Sequence, residues 1–434
     1  MDWLADPRTP IWTAATSRLG VALILFVAPQ VFPMRDYYQP TLEPSSSIIQ
    51  RMLHRPRMFP LAEDELAYDE LARSILRGDG FVLQRGWVIT QPGQPTAYGG
   101  ALYPLFVAAI YGATGNAFPA VVAVQILLSV AAVAGIARIG TAVGGDRVGL
   151  AAAWLGAVHP GLAMAPSLLM TEALSIPIII AIVLAAIRWR EMPTVYRASL
   201  AGGLVGLGFL VRSPLGLMGI SVLIAVTWLR AAEYGPRGAW RHIAAAALSA
   251  AIVMAPWTAR NWVRYDRFLP ADTKSGVNLW MYNRPPGTAG WADITGMNEG
   301  EVDAMYRERA LQNLREHPGW FARATLARGA RYWWPVPRNA ATLPHWAGVV
   351  AYTVITTSAL IGMAILVGRM SGPHTAWLVL APFSVGWGLM AITATGLRHR
   401  LTVEPLMVVA AAVGIVFMIS AARKARADAP PGER

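Results

Sequence analysis

Ten long apolar segments constrain this chain more than any other feature of its sequence. A helix that crosses a lipid bilayer needs about 20 mainly apolar residues. Only 14% of the 434 residues are charged, whereas soluble proteins carry about 25%. Spanning segments must pair their own backbone groups, so they form helices, and the sequence predicts an all-α polytopic membrane protein. The predicted spans lie at about 12–32, 118–141, 147–165, 169–188, 198–212, 214–230, 240–257, 346–368, 374–394 and 402–420.

The distribution of basic residues predicts how these spans are oriented. Short cytoplasmic loops carry an excess of arginine and lysine, and ten spans place three basic clusters together in the cytoplasm, with both termini. The apolar stretch Gly99–Gly115 is short, and counting it as a span would put the N-terminal segment opposite the later clusters. We therefore expect that stretch to lie along the membrane or to re-enter it. The clusters are Arg188, Arg190 and Arg197, then Arg230, Arg237 and Arg241, then Arg423, Lys424 and Arg426.

Two long segments between spans, at about 33–119 and 259–345, are predicted to face away from the cytoplasm. The first contains an amphipathic pattern over Glu63–Arg77, which is typical of a helix along the membrane interface. The second contains a predicted helix over Asn298–Arg315 followed by tryptophans and tyrosines, which prefer the headgroup level. The predicted organisation is an N-terminal transmembrane module that includes the first loop, a second loop, C-terminal spans and a cytoplasmic tail, at 1–258, 259–345, 346–421 and 422–434.

Composition excludes several classes of site and partner. The chain has no cysteine, which rules out disulfides, thiolate zinc sites, iron–sulfur clusters and cysteine nucleophiles. Its net charge is +12, almost entirely from arginine. Such an excess on a membrane protein suits anionic lipid headgroups or a phosphate-bearing substrate. Nucleic acid is not expected as a partner, because there is no soluble basic domain to bind it.

Acidic residues mark two candidate positions. Five acids occur within residues 63–70, and a solvated first helical turn that complements the helix dipole would explain them. Alternatively, Asp64 aims a carboxylate at the membrane surface, where it takes a proton from an acceptor hydroxyl. Glu172 begins the fourth span, where an ionisable group is a functional candidate by default. A helix-start acid with Thr171 as its cap is the alternative for Glu172.

Arginines at the outer ends of several spans predict a phosphate site. Each arginine alone could merely extend to the headgroups. Together they lie on the outer side, where few arginines are expected because arginine is favoured in cytoplasmic loops. The acids lie on that side as well. A transporter would be expected to place ionisable groups near the bilayer midplane, but the spans carry few there, which favours chemistry at the outer surface. The candidate phosphate ligands are Arg212, Arg260, Arg398, Arg400 and, from the second loop, Lys274.

Several short stretches resemble motifs of the GT-C superfamily of polytopic glycosyltransferases, and they follow the family order. The resemblance is to the bacterial relatives of the dolichyl-phosphate-mannose protein mannosyltransferases and of the lipid A aminoarabinose transferases. One departure is Ala97-Tyr98-Gly99-Gly100-Ala101, where the family has an Arg-Pro-Pro or His-Pro-Pro type of sequence before Tyr-Pro. The matching stretches are Asp64-Glu65-Leu66-Ala67-Tyr68 with Leu71-Ala72 and Gly78, Leu102-Tyr103-Pro104-Leu105-Phe106, Thr171-Glu172-Ala173-Leu174, Pro256-Trp257-Thr258-Ala259-Arg260-Asn261, Ser275-Gly276-Val277-Asn278-Leu279-Trp280, and Arg398-His399-Arg400-Leu401 with Glu404-Pro405.

The resemblance implies a GT-C fold and the inverting transfer of a sugar from a polyprenyl-phosphate donor to an acceptor outside the cytoplasm. It implies that Asp64 is the general base, and Glu65, beside it in the motif, is a second candidate catalytic group. Glu172 would favour the oxocarbenium-like transition state electrostatically. No metal ligands are predicted, although a divalent cation remains possible, and the acceptor is a protein, a lipid or a glycan. Further substrate contacts are expected from Tyr68, Tyr98, Tyr103, Asn278 and Trp280.

Two other functions remain open at the level of the sequence. One is a multi-span transporter or flippase of lipids or polysaccharides, with no transfer chemistry. The other is an enzyme like an O-antigen ligase or polymerase, which takes a polyprenyl diphosphate donor. The acids of the first long loop favour the transferase over a transporter, because a transporter would not need that loop. The expected location is the plasma (inner) membrane, with the active site facing the periplasm or the cell exterior.

Overall fold

A computed structural model describes residues 6, 8–31, 63–86, 89–235, 239–288, 290–333, 343–368, 374–393 and 397–428. Within these residues the chain is almost entirely helical, with one short antiparallel pair of strands, β1 (Val82–Leu83) and β2 (Gln94–Pro95). A 3₁₀ turn covers Ala165–Ser167. The helices are α1 (Thr9–Val31), α2 (Glu63–Arg77), α3 (Leu102–Thr114), α4 (Phe118–Gly144), α5 (Asp146–Val158), α6 (Pro160–Met164), α7 (Glu172–Glu191), α8 (Val195–Val211), α9 (Ser213–Tyr234), α10 (Ala239–Tyr265), α11 (Ser275–Tyr282), α12 (Glu299–Glu316), α13 (Pro318–Trp333), α14 (Leu343–Gly368), α15 (Trp377–Ile392), α16 (Leu397–Arg400) and α17 (Glu404–Asp428).

Each of the ten predicted spans coincides with helix, but the number ten itself stays a prediction. Six helices in the described part of the chain are long and apolar enough to cross a membrane, and a bent pair would make a seventh. Three apolar helices are shorter, namely α3, α8 and α15. Helix α3 has 13 residues and is therefore about 20 Å long, against a hydrocarbon core of about 30 Å. Whether it crosses or lies along the membrane stays a prediction.

The predicted span at 147–165 is broken in the structure. Helices α5 and α6 meet at an angle of 57°, and the break falls at His159-Pro160. Proline lacks the backbone N–H that a continuous helix requires, so α6 starts anew with Pro160 in its first turn. The His159 side chain caps this second helix by accepting a hydrogen bond from the Leu162 backbone N–H at 3.2 Å. The broken segment leads directly to the turn that precedes α7.

Glycines allow the spanning helices to approach one another closely. Helix α10 packs along α8, and a Cβ on Gly202 or Gly206 would collide with the backbone of α10. Helices α14 and α17 meet in the same way at Gly362 and Gly414. Helices in lipid associate through close packing rather than through the hydrophobic effect, and small residues permit it. The packing therefore fixes α8 against α10 and α14 against α17.

The two long loops pack together instead of lying as separate interfacial pieces. Helix α2, the β1–β2 hairpin and helices α11 and α12 share one apolar core. A buried Glu299 carboxylate joins the loops, because its Oε2 accepts the Ala97 N–H and the Thr273 hydroxyl, both at 2.9 Å. This contact brings the residues after β2 next to those before α11. The core residues include Ala67, Leu71, Leu83, Ile89, Tyr98, Val277, Trp280, Val302, Tyr306 and Ala310.

The orientation predicted from the arginine distribution can be measured directly. Reporter fusions near residues 90 and 300 should report the extracytoplasmic side, and a fusion near residue 430 should report the cytoplasm. The physical reason is the excess of arginine in short cytoplasmic loops. A cytoplasmic signal near residue 300 would contradict the orientation.

Candidate active site

Asp64 lies in the first turn of α2, on the face that packs into the shared core of the loops. Ala67 and Leu71 follow it at spacings of three and seven residues, which place all three side chains on one helix face, and both are fully buried. The Asp64 carboxylate therefore points into the junction between the two long loops. Its Oδ1 accepts hydrogen bonds from the Tyr98 hydroxyl at 2.7 Å and from Lys274 Nζ at 3.0 Å. Its Oδ2 is 2.6 Å from Arg398 Nη1.

Glu172 extends this cluster toward the membrane. Its Oε1 accepts a hydrogen bond from Arg212 Nη1 at 2.9 Å and another from Arg398 Nε at 3.4 Å. Arg398 therefore bridges the two carboxylates. We call Asp64, Glu172, Arg212, Lys274 and Arg398 the charged network. Its members come from α2, α7, the α8–α9 junction, the residue before α11, and α16.

Exposure and charge distinguish the two ends of the charged network. The Glu172 side chain is 1% exposed, whereas those of Asp64 and Arg398 are 18% and 33% exposed. Asp64 and the three basic side chains are therefore partly accessible, whereas Glu172 is not. Three of the five members are basic side chains, and the arginine forks match phosphate oxygens in particular.

The network shifts the pKa values of its members outside the membrane spans. Burial alone would raise the pKa of Asp64, but the charges of Lys274 and Arg398, together with the hydrogen bonds from Tyr98 and Lys274, hold it well below its usual range. Burial lowers the pKa of Lys274, although Asp64 partly opposes this effect. Burial, followed by the charges of Arg212 and Arg398, lowers the pKa of His399 to about 4. His399 is therefore neutral near pH 7 and adds no charge to the site.

Tyr98 reaches Asp64 because two glycines follow it. Gly99 and Gly100 have φ values of +79° and +78°, in the left-handed region that glycine tolerates best. A Cβ on Gly100 would lie 2.7 Å from the carbonyl oxygens of Leu210 and Val211. The backbone therefore passes directly against the end of α8, which requires glycine at this position. The departure from the family motif at residues 97–101 thus has a structural purpose in this chain.

Glu65 does not join the charged network, although it was predicted to be a catalytic group. Consecutive residues on a helix point about 100° apart, so Glu65 turns away from the side that Asp64 faces. Its side chain is 3% exposed, and its Oε1 accepts the Leu169 backbone N–H at 2.8 Å. This contact supports the turn that leads to Glu172. The structure therefore indicates a supporting role for Glu65.

Arg260 was predicted to bind phosphate, but the structure places its guanidinium among aromatic rings. Its Cζ lies 4.8 Å from the ring centroid of Trp257, 5.7 Å from that of Tyr265 and 5.8 Å from that of Phe81. Its Nη1 donates a hydrogen bond to Asn261 Oδ1 at 2.9 Å. These contacts hold Arg260 at the end of α10. The prediction that Arg260 converges with Arg398 is therefore not supported by the described contacts.

Arg400 also lies outside the charged network, and its burial corrects the prediction that it binds phosphate. Residues two positions apart on a helix point to nearly opposite sides, so α16 turns Arg398 to the site and Arg400 to the protein interior. Arg400 is 1% exposed, with its Nε 2.5 Å from Glu404 Oε1. Its other nitrogens donate to the Tyr332 carbonyl at 2.8 Å and to the Thr356 hydroxyl at 2.9 Å.

The other predicted substrate contacts mostly form the packing behind the site. Tyr68 and Tyr103 are buried, with ring centroids 5.0 Å apart, and the Tyr103 hydroxyl donates to Gln125 Oε1 at 2.8 Å. Trp280 is 3% exposed and packs against other aromatic rings within the loop core. Asn278 lies half-buried on the same helix, α11. Of the five, Tyr98 is the one that contacts Asp64.

The sequence analysis missed Asp272, which anchors Lys274. Its Oδ1 accepts the Lys274 backbone N–H at 3.0 Å, and its Oδ2 accepts the Ser213 hydroxyl at 2.9 Å. An aspartate that accepts the N–H two residues later forms an Asx turn, so the Asp272-Thr273-Lys274 spacing was the available signal. The bond to Ser213 ties this turn to the start of α9, beside Arg212. Asp272 therefore holds two cations of the charged network at a fixed separation.

Side chains that could bind a metal ion do not form a cluster in the part of the chain that the structure describes. Within the described ranges, no set of three or more His, Asp or Glu side chains could hold a metal ion. Asp64 and Glu172, the two carboxylates of the network, contact lysine and arginine instead. A divalent cation would therefore need ligands beyond those seen together here.

No protein-family model and no curated protein matches this sequence. Solved structures do match. The Archaeoglobus fulgidus oligosaccharyltransferase AglB, in complex with an inhibitory peptide and a dolichol-phosphate, is 12% identical, with a TM-score of 0.55 over 97% of this chain and 52% of its own. The apo form of the same enzyme gives a TM-score of 0.56, at 12% identity over 98% of this chain and 52% of its own. This chain thus spans about half the length of that oligosaccharyltransferase.

ArnT from Cupriavidus metallidurans, bound to undecaprenyl phosphate, also matches. It is 14% identical over 86% of this chain and 77% of its own, with a TM-score of 0.39, a likeness too weak for a comparison of helices. The similarity to the oligosaccharyltransferase covers nearly the whole chain and extends to both long loops. Together with the apolar helices, it shows that this chain is a multi-pass membrane protein that shares the fold of that oligosaccharyltransferase.

Proposed function

We propose that this protein is an inverting membrane glycosyltransferase that takes its sugar from a polyprenyl-phosphate donor. The observation that carries the proposal is the partly exposed Asp64 carboxylate, which lies between Lys274 and Arg398 at the junction of the two loops. Inverting transfer by direct displacement needs a base on one side of the sugar and a stabilised phosphate on the other. Both kinds of group are adjacent at this position.

The proposed reaction is a single displacement at the anomeric carbon. The acceptor hydroxyl forms a bond to that carbon and passes its proton to Asp64. The bond from the anomeric carbon to the phosphate oxygen breaks, and its electron pair stays on the phosphate. Arg398 and Lys274 stabilise the charge that develops there, and contacts that strengthen as the bond breaks raise turnover rather than only affinity.

Glu172 has a positioning role in this proposal. Its carboxylate is buried and holds both Arg212 and Arg398, so it sets the direction in which these guanidinium groups point. The sequence analysis gave Glu172 a direct electrostatic effect on the sugar. Its 1% exposure favours an effect through the two arginines instead.

The oligosaccharyltransferase supports the choice of leaving group, since its structure holds a dolichol-phosphate. We therefore propose a lipid monophosphate as the group from which the sugar departs. That enzyme also holds an inhibitory peptide, but this chain matches only about half of it. We therefore propose only that the acceptor is a protein, a lipid or a glycan. By the distribution of arginines, the site faces the periplasm or cell exterior from the plasma membrane.

The function can be tested with the full chain in phosphatidylcholine nanodiscs. Synthetic polyprenyl-phosphate hexoses and pentoses with a labelled sugar serve as donors, and a cell-envelope fraction serves as acceptor. We expect labelled sugar to leave the lipid and unlabelled polyprenyl phosphate to accumulate with at least one monophosphate donor. The matched polyprenyl diphosphate donors are the control and should not react.

The alternatives give different results with the same labelled donors, in nanodiscs for an enzyme and in sealed vesicles for a transporter. An enzyme like an O-antigen ligase or polymerase would use only the diphosphate donors. A transporter or flippase in sealed vesicles would move the labelled lipid across the membrane without cleaving it. Either result would contradict the proposed function.

A further inference from the structure

Both carboxylate oxygens of Asp64 contact cations in the structure, although the proposed function requires Asp64 as a base. One of its oxygens accepts from Tyr98 and Lys274, and the other contacts Arg398. A general base is most effective when its pKa lies near the working pH and a lone pair faces the proton it takes. The two cations oppose both conditions. The arrangement seen here is therefore one in which Asp64 is blocked.

The three partners of Asp64 differ in whether they can leave it. Tyr98 is neutral, and burial followed by the charge of Asp64 raises its pKa above the usual value, so its hydroxyl remains a donor. Lys274 has a flexible stem, and its Nζ lies 3.5 Å from the ring centroid of Tyr98. Arg398 retains Glu172 as a second partner if it moves away from Asp64. Both cations can therefore turn away, whereas the Tyr98 hydroxyl stays.

We infer that the phosphate of the lipid donor exchanges partners with Asp64, taking Lys274 and Arg398 for itself and leaving the carboxylate bonded to Tyr98 alone. This inference rests on the proposed function and adds a regulation of the same site. Before the donor binds, the two cations neutralise and block the base. After it binds, they neutralise the phosphate, and Asp64 is free to accept a proton while Tyr98 maintains its orientation.

The charge changes of the reaction favour this exchange. The donor is a phosphodiester with one negative charge, and the leaving polyprenyl phosphate gains the electron pair of the broken bond. At the same step Asp64 takes the acceptor proton and loses its own negative charge. Negative charge thus moves from Asp64 to the phosphate, and Lys274 and Arg398 are attracted in the same direction. When Asp64 later releases its proton, it competes again for both cations, which promotes release of the polyprenyl phosphate.

Binding of polyprenyl phosphate, without sugar, tests the exchange in phosphatidylcholine nanodiscs. In the wild type the phosphate must compete with Asp64 for the cations. Only the fraction of protein molecules in which Lys274 and Arg398 have left Asp64 is ready to bind. Asp64→Asn removes the competitor and should bind polyprenyl phosphate about tenfold more tightly, which corresponds to about 1.4 kcal/mol. The matched control is Asp69→Asn on the same helix, whose carboxylate pairs with Arg73 and whose affinity should equal that of the wild type.

Proton uptake distinguishes the exchange of partners from a gain in phosphate affinity that comes only from removing the negative charge of Asp64. If Asp64 loses both cations and gains a phosphate neighbour, its pKa rises on binding, and the wild type takes up protons at pH values between the lowered pKa of the unbound site and the raised pKa of the bound site. Its affinity should therefore increase, relative to Asp64→Asn, as the pH falls below neutrality. Calorimetry in buffers with different ionisation enthalpies measures the uptake. Equal uptake by the wild type and Asp64→Asn would overturn the exchange.

The remaining outcomes distinguish the two proposals and the source of the phosphate. If Asp64→Asn abolishes transfer but binds polyprenyl phosphate no more tightly than the wild type, the exchange is overturned and the base assignment stands. If Asp64→Asn retains transfer, the assignment of Asp64 as the base fails whatever the affinity of the variant, and the exchange fails with it; the proposed function itself fails only if no monophosphate donor is cleaved by the wild type. Thermal melts should show that the variant remains folded. Added phosphatidylglycerol should not displace polyprenyl phosphate; displacement would show that any lipid phosphate binds and would overturn the assignment to this donor.

Discussion

Asp64→Asn is expected to reduce the rate of sugar transfer by about two to four orders of magnitude, the usual contribution of a general base. Asparagine has nearly the same shape and can still accept the Tyr98 hydroxyl, so the fold should persist. It cannot take the acceptor proton. Initial rates with a polyprenyl-phosphate sugar donor measure the effect, and thermal stability of the purified protein in nanodiscs confirms folding.

The neighbouring Glu65→Gln is the matched control for this prediction. Glutamine retains the oxygen that accepts the Leu169 N–H, so the turn before Glu172 should be maintained. The rate should remain close to that of the wild type. If Glu65→Gln abolishes transfer while Asp64→Asn leaves it intact, the base has been assigned to the wrong carboxylate.

Arg398→Ala should lower kcat/KM for the donor by about a hundredfold, because a donor to the developing oxyanion is lost. Arg398→Lys should recover only part of this loss. A guanidinium bridges Asp64 and Glu172 with different nitrogens, and a lysine ammonium cannot reproduce that geometry. Separate measurements of kcat and KM show whether the arginine acts mainly in the transition state, which we expect, or equally on donor binding.

Arg260→Ala is the control for Arg398. Its guanidinium packs on aromatic rings rather than on the charged network, so both kcat and the donor KM should change little. A loss of donor affinity larger than that in Arg398→Ala would restore Arg260 as the phosphate ligand predicted from the sequence. The pair of substitutions therefore decides between the sequence-based assignment and the one that follows from the geometry.

Local pattern was sufficient to predict most of the long helices and the class of protein, although helices α11 and α13 of the second loop were not predicted. The amphipathic pattern over Glu63–Arg77 coincides with α2, and the predicted helix at Asn298–Arg315 differs from α12 by one residue at each end. Apolar length identifies spanning helices because the bilayer has a nearly constant thickness. The GT-C fold was also predicted correctly, since its short motifs occur in order along the chain. Each of these inferences depends on neighbours in sequence or on their order.

Composition and motifs also identified all five members of the charged network as candidates. They could not rank the arginines, because the partner of each one lies far away in the chain. Lys274 contacts Asp64 from a position 210 residues later, and Arg398 contacts Glu172 across 226 residues. The sequence analysis therefore proposed one set containing Arg212, Arg260, Arg398 and Arg400.

Tertiary structure separated that set into arginines of the site and arginines of the scaffold. Arg398 and Arg400 lie on the same short helix, and the one that faces Asp64 is determined by Glu404, which holds Arg400 in the interior. Arg260 is held partly by Phe81, an aromatic side chain of the other long loop. By itself the sequence determined the membrane class, the helices and the candidate residues, because these follow from local composition and periodicity. Only the folded chain decided which charges meet, because a guanidinium is oriented by the groups packed around it.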